Sequence, residues 1–299
     1  MEIIVNGATG WLGRSTIFAA RKVCDFQDPI IKCISSKSRL LLIDGLEDYK
    51  TVTFDQYLAT NVIRPDIYVH LPFKTKDYQN AFSPDNYKNI NGKLIDQGLQ
   101  IVSQNRPKSV VIVSSGVVGR FYATNGIQDN DLYTEMKILE ENNFRTLCSD
   151  LGINLVTLRL WGASGSLMTE PLKYAIGNLI SQALEGPEIS IESRNLVYRR
   201  YVDAAEAMAV SLYAAINGFS GVLDSGGTIV EMSTLVAEIM SSLGISKPVN
   251  RPDTSGGAPD LYFSTSTAFE DLAINFGLKI SSLDLQIKET KKAVLRSLA

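Results

Sequence analysis

The chain opens on a short apolar run, residues 3–6, that stops at a glycine, and residues 14–23 then carry apolar positions at helical spacing. This order reads as strand, turn, helix. Further apolar runs at 30–34, 51–54, 67–71, 109–114 and 154–160 read as strands, and most are separated by segments of helical period, chiefly 86–104 and 133–151. Strands that are apolar throughout and alternate with helices belong to a parallel sheet covered on both faces. The fold class expected is therefore α/β, a Rossmann-type doubly wound parallel sheet.

Beyond Gly162 the pattern changes. Helices are predicted at 171–185, 203–217 and 233–243, a short strand at 188–192, a Pro/Gly/Ser-rich loop at 247–260 and a final amphipathic helix from Ser282. The expectation is an NAD(P)-binding Rossmann domain over 1–165 and a smaller C-terminal α/β substrate-binding lobe over 166–299. That lobe is not independent, and some of its segments return to the first sheet.

Composition narrows the partners. The 299 residues are 45% hydrophobic and 20% charged, with a formal net charge of −3 and no Lys/Arg-rich block. That composition argues for a globular core and against nucleic acid as a partner. Cys24, Cys33 and Cys148 form no CxxC pair, and with a single histidine no metal site is expected. No apolar run approaches the roughly 18 residues of a membrane span, and MEIIVNGATG lacks a basic leader. A cytoplasmic protein with no membrane partner is the expectation.

Gly7, Gly10 and Gly13 lie between the first strand and the first helix in NGATGWLGRST. Dinucleotide recognition needs a tight turn, close approach of backbone to pyrophosphate, and a helix N-terminus facing the negative charge. Thr9, Trp11 and Leu12 share that segment. After the second strand, where a carboxylate would receive the adenine ribose of NAD, the chain has Ser35, Ser36, Lys37, Ser38 and Arg39. Hydroxyls and two cations suit a 2′-phosphate better, which favours NADP(H), with NAD(H) possible and Arg14 a further cation for that phosphate.

Tyr133 and Lys137 are four apart in a helical segment and so share a face. An ammonium beside a phenol stabilises the phenolate, and Lys137 can also reach the nicotinamide ribose. Upstream, Ser114 and Ser115 end an apolar strand, the edge at which open α/β sheets bind ligands.

Together these segments resemble the extended short-chain dehydrogenase/reductase family, its nucleotide-sugar epimerase/dehydratase group, over nearly the whole chain. GATGWLG resembles the cofactor turn and Asp66-Ile-Tyr-Val-His-Leu the fourth strand, which normally continues with alanine; Asn89 matches a structural asparagine. Val113-Ser-Ser-Gly-Val-Val-Gly resembles the serine strand, Tyr133-Thr-Glu-Met-Lys137 the catalytic pair, Arg159-Leu-Trp-Gly the following strand, and Arg200-Tyr-Val-Asp203 a segment of the substrate lobe. The resemblance implies that Tyr133 moves a hydroxyl proton, that Lys137 assists, and that Ser115 binds the same oxygen, with Ser114 as the alternative. It also implies Leu71 and Pro72 beside the cofactor, Arg200 or Arg251 on a nucleotide diphosphate, and a homodimer. His70 reads as a packed, hydrogen-bonded side chain and Trp161 is left unassigned.

Gly116 and Val117 stand where the family's dehydratases carry an acidic pair, which argues against dehydration and against decarboxylation. A single histidine argues against epimerase-reductases that work at two carbons. The reading is an enzyme of this family, a keto-sugar reductase using NADPH on a nucleotide-activated sugar. The alternatives are a nucleotide-sugar epimerase with retained NAD and a non-catalytic NADP-sensing protein.

Overall fold

The computed structural model describes residues 1–60 and 64–299. In chain order come β1 (Glu2–Asn6), α1 (Trp11–Phe18), β2 (Ile30–Ile34), β3 (Leu40–Leu41), β4 (Tyr49–Val52), α2 (Phe54–Leu58), β5 (Ile67–His70), α3 (Pro84–Asn105), β6 (Ser109–Ser115), α4 (Gly116–Ala123), α5 (Leu132–Leu151) and β7 (Asn154–Leu160). There follow β8 (Ala163–Ser164), α6 (Ala175–Glu185), β9 (Ile189–Ser190), β10 (Val197–Asp203), α7 (Ala204–Ile216), β11 (Gly221–Asp224) and β12 (Thr228–Glu231). The chain ends with α8 (Met232–Leu243), β13 (Val249–Asn250), β14 (Asp260–Tyr262), α9 (Ala268–Asn275) and α10 (Leu283–Leu298). Two compact units divide it, Met1–Leu160 with Met208–Asp224 and Trp161–Ala207 with Ser225–Ala299.

The first unit is built on an eight-stranded sheet in the order β11-β7-β6-β5-β1-β2-β4-β3, parallel throughout except for the β3–β4 edge pair. This is the doubly wound α/β architecture expected. β1, β5 and β6 are buried along almost their whole length with apolar centres, as helices on both faces require. On one face Ile4, Tyr68, Val110 and Ile112 pack with Ile95 and Ile101 of α3 and Met136 and Phe144 of α5. The chain leaves β1 toward β2 on one side and returns as β5 on the other. The switch point therefore lies at the carboxyl ends of β1 and β5, where open α/β sheets hold ligands.

Local chemistry sets the boundaries. α5 starts at Asp131, whose carboxylate accepts from the Thr134 amide, and stops at Gly152 in the left-handed region. The strand expected at 51–54 ends at Val52 because Thr53 and Gln56 form a capping box that opens α2. The first helix begins at Trp11, earlier than its spacing indicated, and closes in a π-helical turn, Ala19–Val23. The helix expected at 171–185 is broken by extended Tyr174 into a 3-10 turn and α6.

In the second unit β10 pairs antiparallel with β12 and parallel with β14 and β8. Ile176 and Ile180 of α6, Leu235 and Ile239 of α8, and Ile287 and Val294 of α10 bury the core around Ile189 and Tyr201. Among the described residues no helix is long and apolar enough to cross a membrane.

Candidate active site

The glycine turn closes directly off β1. The amides of Gly7 and Ala8 both donate to the Ile34 carbonyl of β2, at 3.0 and 3.1 Å, and Gly10 N–H donates to Gly7 O. Gly7 has φ +85°, and a Cβ there would meet Pro72 N and Leu71 at 3.1–3.2 Å, which places Leu71 and Pro72 directly against the turn. A Cβ on Gly13 would lie 2.3 Å from Gly7 O, so that glycine lets α1 pack onto the turn. Gly10 differs: it is exposed, and its Cβ would find only Gly7 O at 3.6 Å. No side chain caps α1. An open glycine at an uncapped helix start, over backbone that admits no side chain, fits a dinucleotide pyrophosphate.

The loop after β2 is held from inside. Ser35 is buried; its hydroxyl donates to Lys37 O at 2.6 Å and lies 3.0 Å from Thr51 Oγ1, which in turn accepts from the Arg39 amide. Ser35 thus shapes the loop, while Ser36, Lys37 and Arg39 are exposed. Arg14 clamps the turn, donating to Thr9 O and Leu42 O.

Tyr133 and Lys137 sit in the first two turns of α5. The Lys137 ammonium is buried and donates to Val113 O of β6 at 2.9 Å and to the Glu140 carboxylate at 2.8 Å. The Phe73 ring lies over its nitrogen, 3.8 Å from the centroid, and meets Tyr133 edge-on with centroids 5.8 Å apart. Phe73 lies two residues beyond Leu71, after the strand β5, and its face lies against the ammonium. The pyrophosphate end of the site fits a dinucleotide as it stands, and the Phe73 ring covers the Lys137 ammonium on the side it faces. Ser115 ends β6 and caps α4, accepting from the Val117 amide, and Ser114 Oγ is buried without a hydrogen-bond partner.

Most of the other positions singled out in the sequence are held by protein partners. Asn89 is exposed; Asn91 is the buried asparagine of α3, clamping both backbone groups of Lys74. Arg200 is buried and donates to Gly227 O, Ser264 O, Ser266 O and Glu270. Arg251 pairs with both oxygens of Glu231 and bonds Asn195 O and Ser233. Both guanidiniums hold the second unit together in this structure. The Trp161 ring packs tilted on Tyr262, centroids 5.1 Å apart. Glu140, buried against Lys137, was not singled out in the sequence, since two adjacent glutamates fit equally well on the exposed face of an amphipathic helix.

No family model matches the sequence, and no curated protein does. Solved structures do. A UDP-N-acetylglucosamine 4-epimerase from Methanobrevibacter ruminantium M1, in complex with UDP-N-acetylmuramic acid, superposes with a TM-score of 0.78 at 17% identity, over 99% of this chain and 98% of that one. A UDP-glucose 4-epimerase from Thermotoga maritima, with UDP-glucose, gives 0.75 at 16% identity over 100% of both chains. A UDP-glucuronic acid 4-epimerase from Bacillus cereus, in complex with NAD, gives 0.74 at 16% identity over 99% of this chain and 97% of that one. Over its full length, then, the chain has the fold of these UDP-sugar 4-epimerases, and the resemblance to the extended short-chain dehydrogenase/reductases holds at the level of fold.

Proposed function

We propose that the protein is a nicotinamide-dependent enzyme of the short-chain dehydrogenase/reductase type that epimerises one carbon of a nucleotide-activated sugar with a retained NAD. The observation that carries this reading is the placement of Tyr133 and Lys137 one turn apart on α5, with the Lys137 ammonium anchored to β6 two residues before Ser115. That UDP-sugar 4-epimerases share the fold supports epimerisation over the reductase reading.

Bound NAD would supply the hydride acceptor and donor. In this scheme Tyr133 takes and returns the sugar hydroxyl proton, since a phenol gains acidity from a neighbouring ammonium. Lys137 supplies that positive charge. Ser115 binds the same oxygen, with Ser114 as the alternative. The turn at Gly7, Gly10 and Gly13 holds the pyrophosphate.

Tyr133→Phe should abolish interconversion of UDP-sugar epimers, followed by NMR of the sugar anomeric protons, and leave calorimetric NAD affinity within about threefold of the parent. Turnover that survives this substitution overturns the assignment. A second reading, a keto-sugar reductase using NADPH, is supported by the exposed Lys37 and Arg39 and the lack of a carboxylate in residues 34–39. Calorimetry with NAD and NADP separates the two: firm retention of NAD supports the epimerase, and preference for NADP(H) supports the reductase. Dinucleotide binding with no turnover of any nucleotide sugar would point to the sensor alternative.

A further inference from the structure

A chain of buried polar groups runs through the first unit beneath the Tyr133–Lys137 pair. Asn6, the residue before the glycine turn, donates from Nδ2 to the Tyr68 hydroxyl at 2.9 Å, and that hydroxyl lies 3.0 Å from His70 Nδ1. His70 Nε2 faces Glu140 Oε1 at 3.6 Å, beyond hydrogen-bond distance, and has no hydrogen-bond partner, while Glu140 Oε2 accepts from Lys137 Nζ at 2.8 Å. All five side chains are buried.

Donor counting gives the chain a polarity. The Tyr68 oxygen already accepts from Asn6, so its single proton goes to His70 Nδ1. A neutral imidazole then carries its own proton on Nε2, facing Glu140. Burial, helped by Lys137, depresses the imidazole to about 3, which keeps it neutral. Gly98 of α3, where a Cβ would lie 2.5 Å from the ring, and Phe144, with centroids 4.8 Å apart, close the imidazole in. The titratable groups that face Glu140 are Lys137 and Glu141 on α5 and His70 and Tyr68 on β5.

We propose that Glu140 is a positioning residue for the Tyr133–Lys137 pair: its carboxylate, which the Nε2 edge of His70 faces at 3.6 Å, fixes the Lys137 ammonium and tempers the field that ammonium exerts on the Tyr133 phenol. Lys137 is held from three directions, by Glu140, by Val113 O and by the Phe73 face, and Glu140 is the one of these that carries charge. Burial raises the Glu140 carboxyl above the usual carboxylate range, and Lys137 opposes that rise. The inference rests on Tyr133 and Lys137 being the proton-handling pair of the function proposed above.

Two measurements on the full chain test it, and neither needs turnover. Because His70 is the single histidine, nitrogen-15 NMR of histidine-labelled protein reports it alone. The proton should sit on Nε2 and stay there from roughly pH 5 to 8; a proton on Nδ1, or a titration in that window, overturns the proposal. The second is a phenolate absorbance titration, with Tyr133 isolated by subtracting the Tyr133→Phe curve. Glu140 lies seven residues further along α5, about 10 Å at 1.5 Å per residue. At an effective dielectric of about 20, removing its charge in Glu140→Gln should lower the Tyr133 midpoint by about one pH unit. Glu140→Asp, which keeps the charge, should restore it. An unchanged or raised midpoint in Glu140→Gln overturns the proposal, and if that variant does not fold, the histidine measurement on the unaltered chain decides. A lowered midpoint in a protein that turns over no nucleotide sugar sustains the positioning role and sinks only the proposed reaction.

Discussion

Alanine at Gly13 and, separately, at Gly10 should part the two tasks of the glycine turn. At Gly13 the new Cβ would lie 2.3 Å from Gly7 O and 2.6 Å from Ala8 C and Cα, all backbone atoms with no rotamer to retreat into. Overpacking typically costs about 1–3 kcal/mol, and a clash with backbone belongs at the upper end. For a cooperative unit of this size that lowers the melting temperature by about 5–8 °C. At Gly10 the backbone has φ −74°, open to any residue, and the nearest atom to a Cβ is 3.6 Å away. Stability should therefore change by less than about 0.5 kcal/mol. The same methyl, however, would stand where pyrophosphate has to approach the backbone, and NAD affinity should fall at least tenfold, about 1.4 kcal/mol. Thermal unfolding by circular dichroism and calorimetric titration with NAD, run on both variants, read the two effects separately. A Gly10→Ala protein that binds NAD like the parent would show that Gly10 does not face the pyrophosphate, and a Gly13→Ala protein as stable as the parent would show that the turn yields to a methyl group.

Three further outcomes follow from side chains already described or neighbouring them. Phe73→Ala uncovers the Lys137 ammonium and should raise calorimetric NAD affinity several-fold; unchanged or weaker binding would show that the ring is no obstacle. The Asp203 carboxyl is pushed up to about 7, first by burial and then by Glu206, against two backbone N–H bonds from Ala205 and Glu206. A folded value above the unfolded one, about 4, means that its stabilisation is full below pH 4 and lost as pH rises through about 7. Chemical denaturation of Asp203→Asn should show that part of the slope, about 2–4 kcal/mol, flattened, and a profile parallel to the parent's would contradict it. Glu141, buried and bridged by Arg159 at 2.8 and 3.0 Å, should cost about 3–5 kcal/mol when replaced by alanine, whereas a Glu141→Met, Arg159→Met pair should be nearly neutral in denaturant titration; equal losses in both would exclude the desolvation argument.

What was legible in the sequence follows from which forces are local. β1, β5, β6 and β7 announce themselves because a strand buried on both faces must be apolar along its length, and the Gly7–Gly13 spacing and the Tyr133–Lys137 turn are properties of contiguous chain. β11 was not legible: of its four residues only Leu223 is fully buried, and its place beside β7 is decided by pairing with residues some 65 positions away. α4 hides in a glycine- and valine-rich segment of poor helix propensity that Ser115 nonetheless caps. The partners of Arg200 and Arg251 were not legible, because a guanidinium has the same donors whether it meets a phosphate or, as in this structure, Glu270 and Glu231. Asn89 and Asn91 are two residues apart on one helix, and only packing against Lys74 reveals which is buried.

The two adjacent carboxylates of α5 show what the site demands of its scaffold. Glu140 and Glu141 are both buried, and consecutive helical residues point about 100° apart, so they cannot share a partner. Glu140 reaches Lys137 and the His70 side of β5, while Glu141 reaches Arg159 on β7. Each pair carries a desolvation penalty that well-packed apolar residues would avoid, so stability alone does not account for them. The apolar contacts of α5, such as Met136 and Phe144, are non-directional and tolerate small slides of the helix over the sheet. The hydrogen-bonded ion pair from Glu141 to Arg159 on β7 does not, because it requires N–O separations near 2.8 Å in a fixed direction. With the Lys137 ammonium donating to Val113 O, it fixes the rotation and register of α5 over β6, and the proton transfer proposed for Tyr133 and Lys137 would need placement to within about 0.5 Å. Under the proposed function, the buried charges of α5 help to aim the Tyr133 phenol.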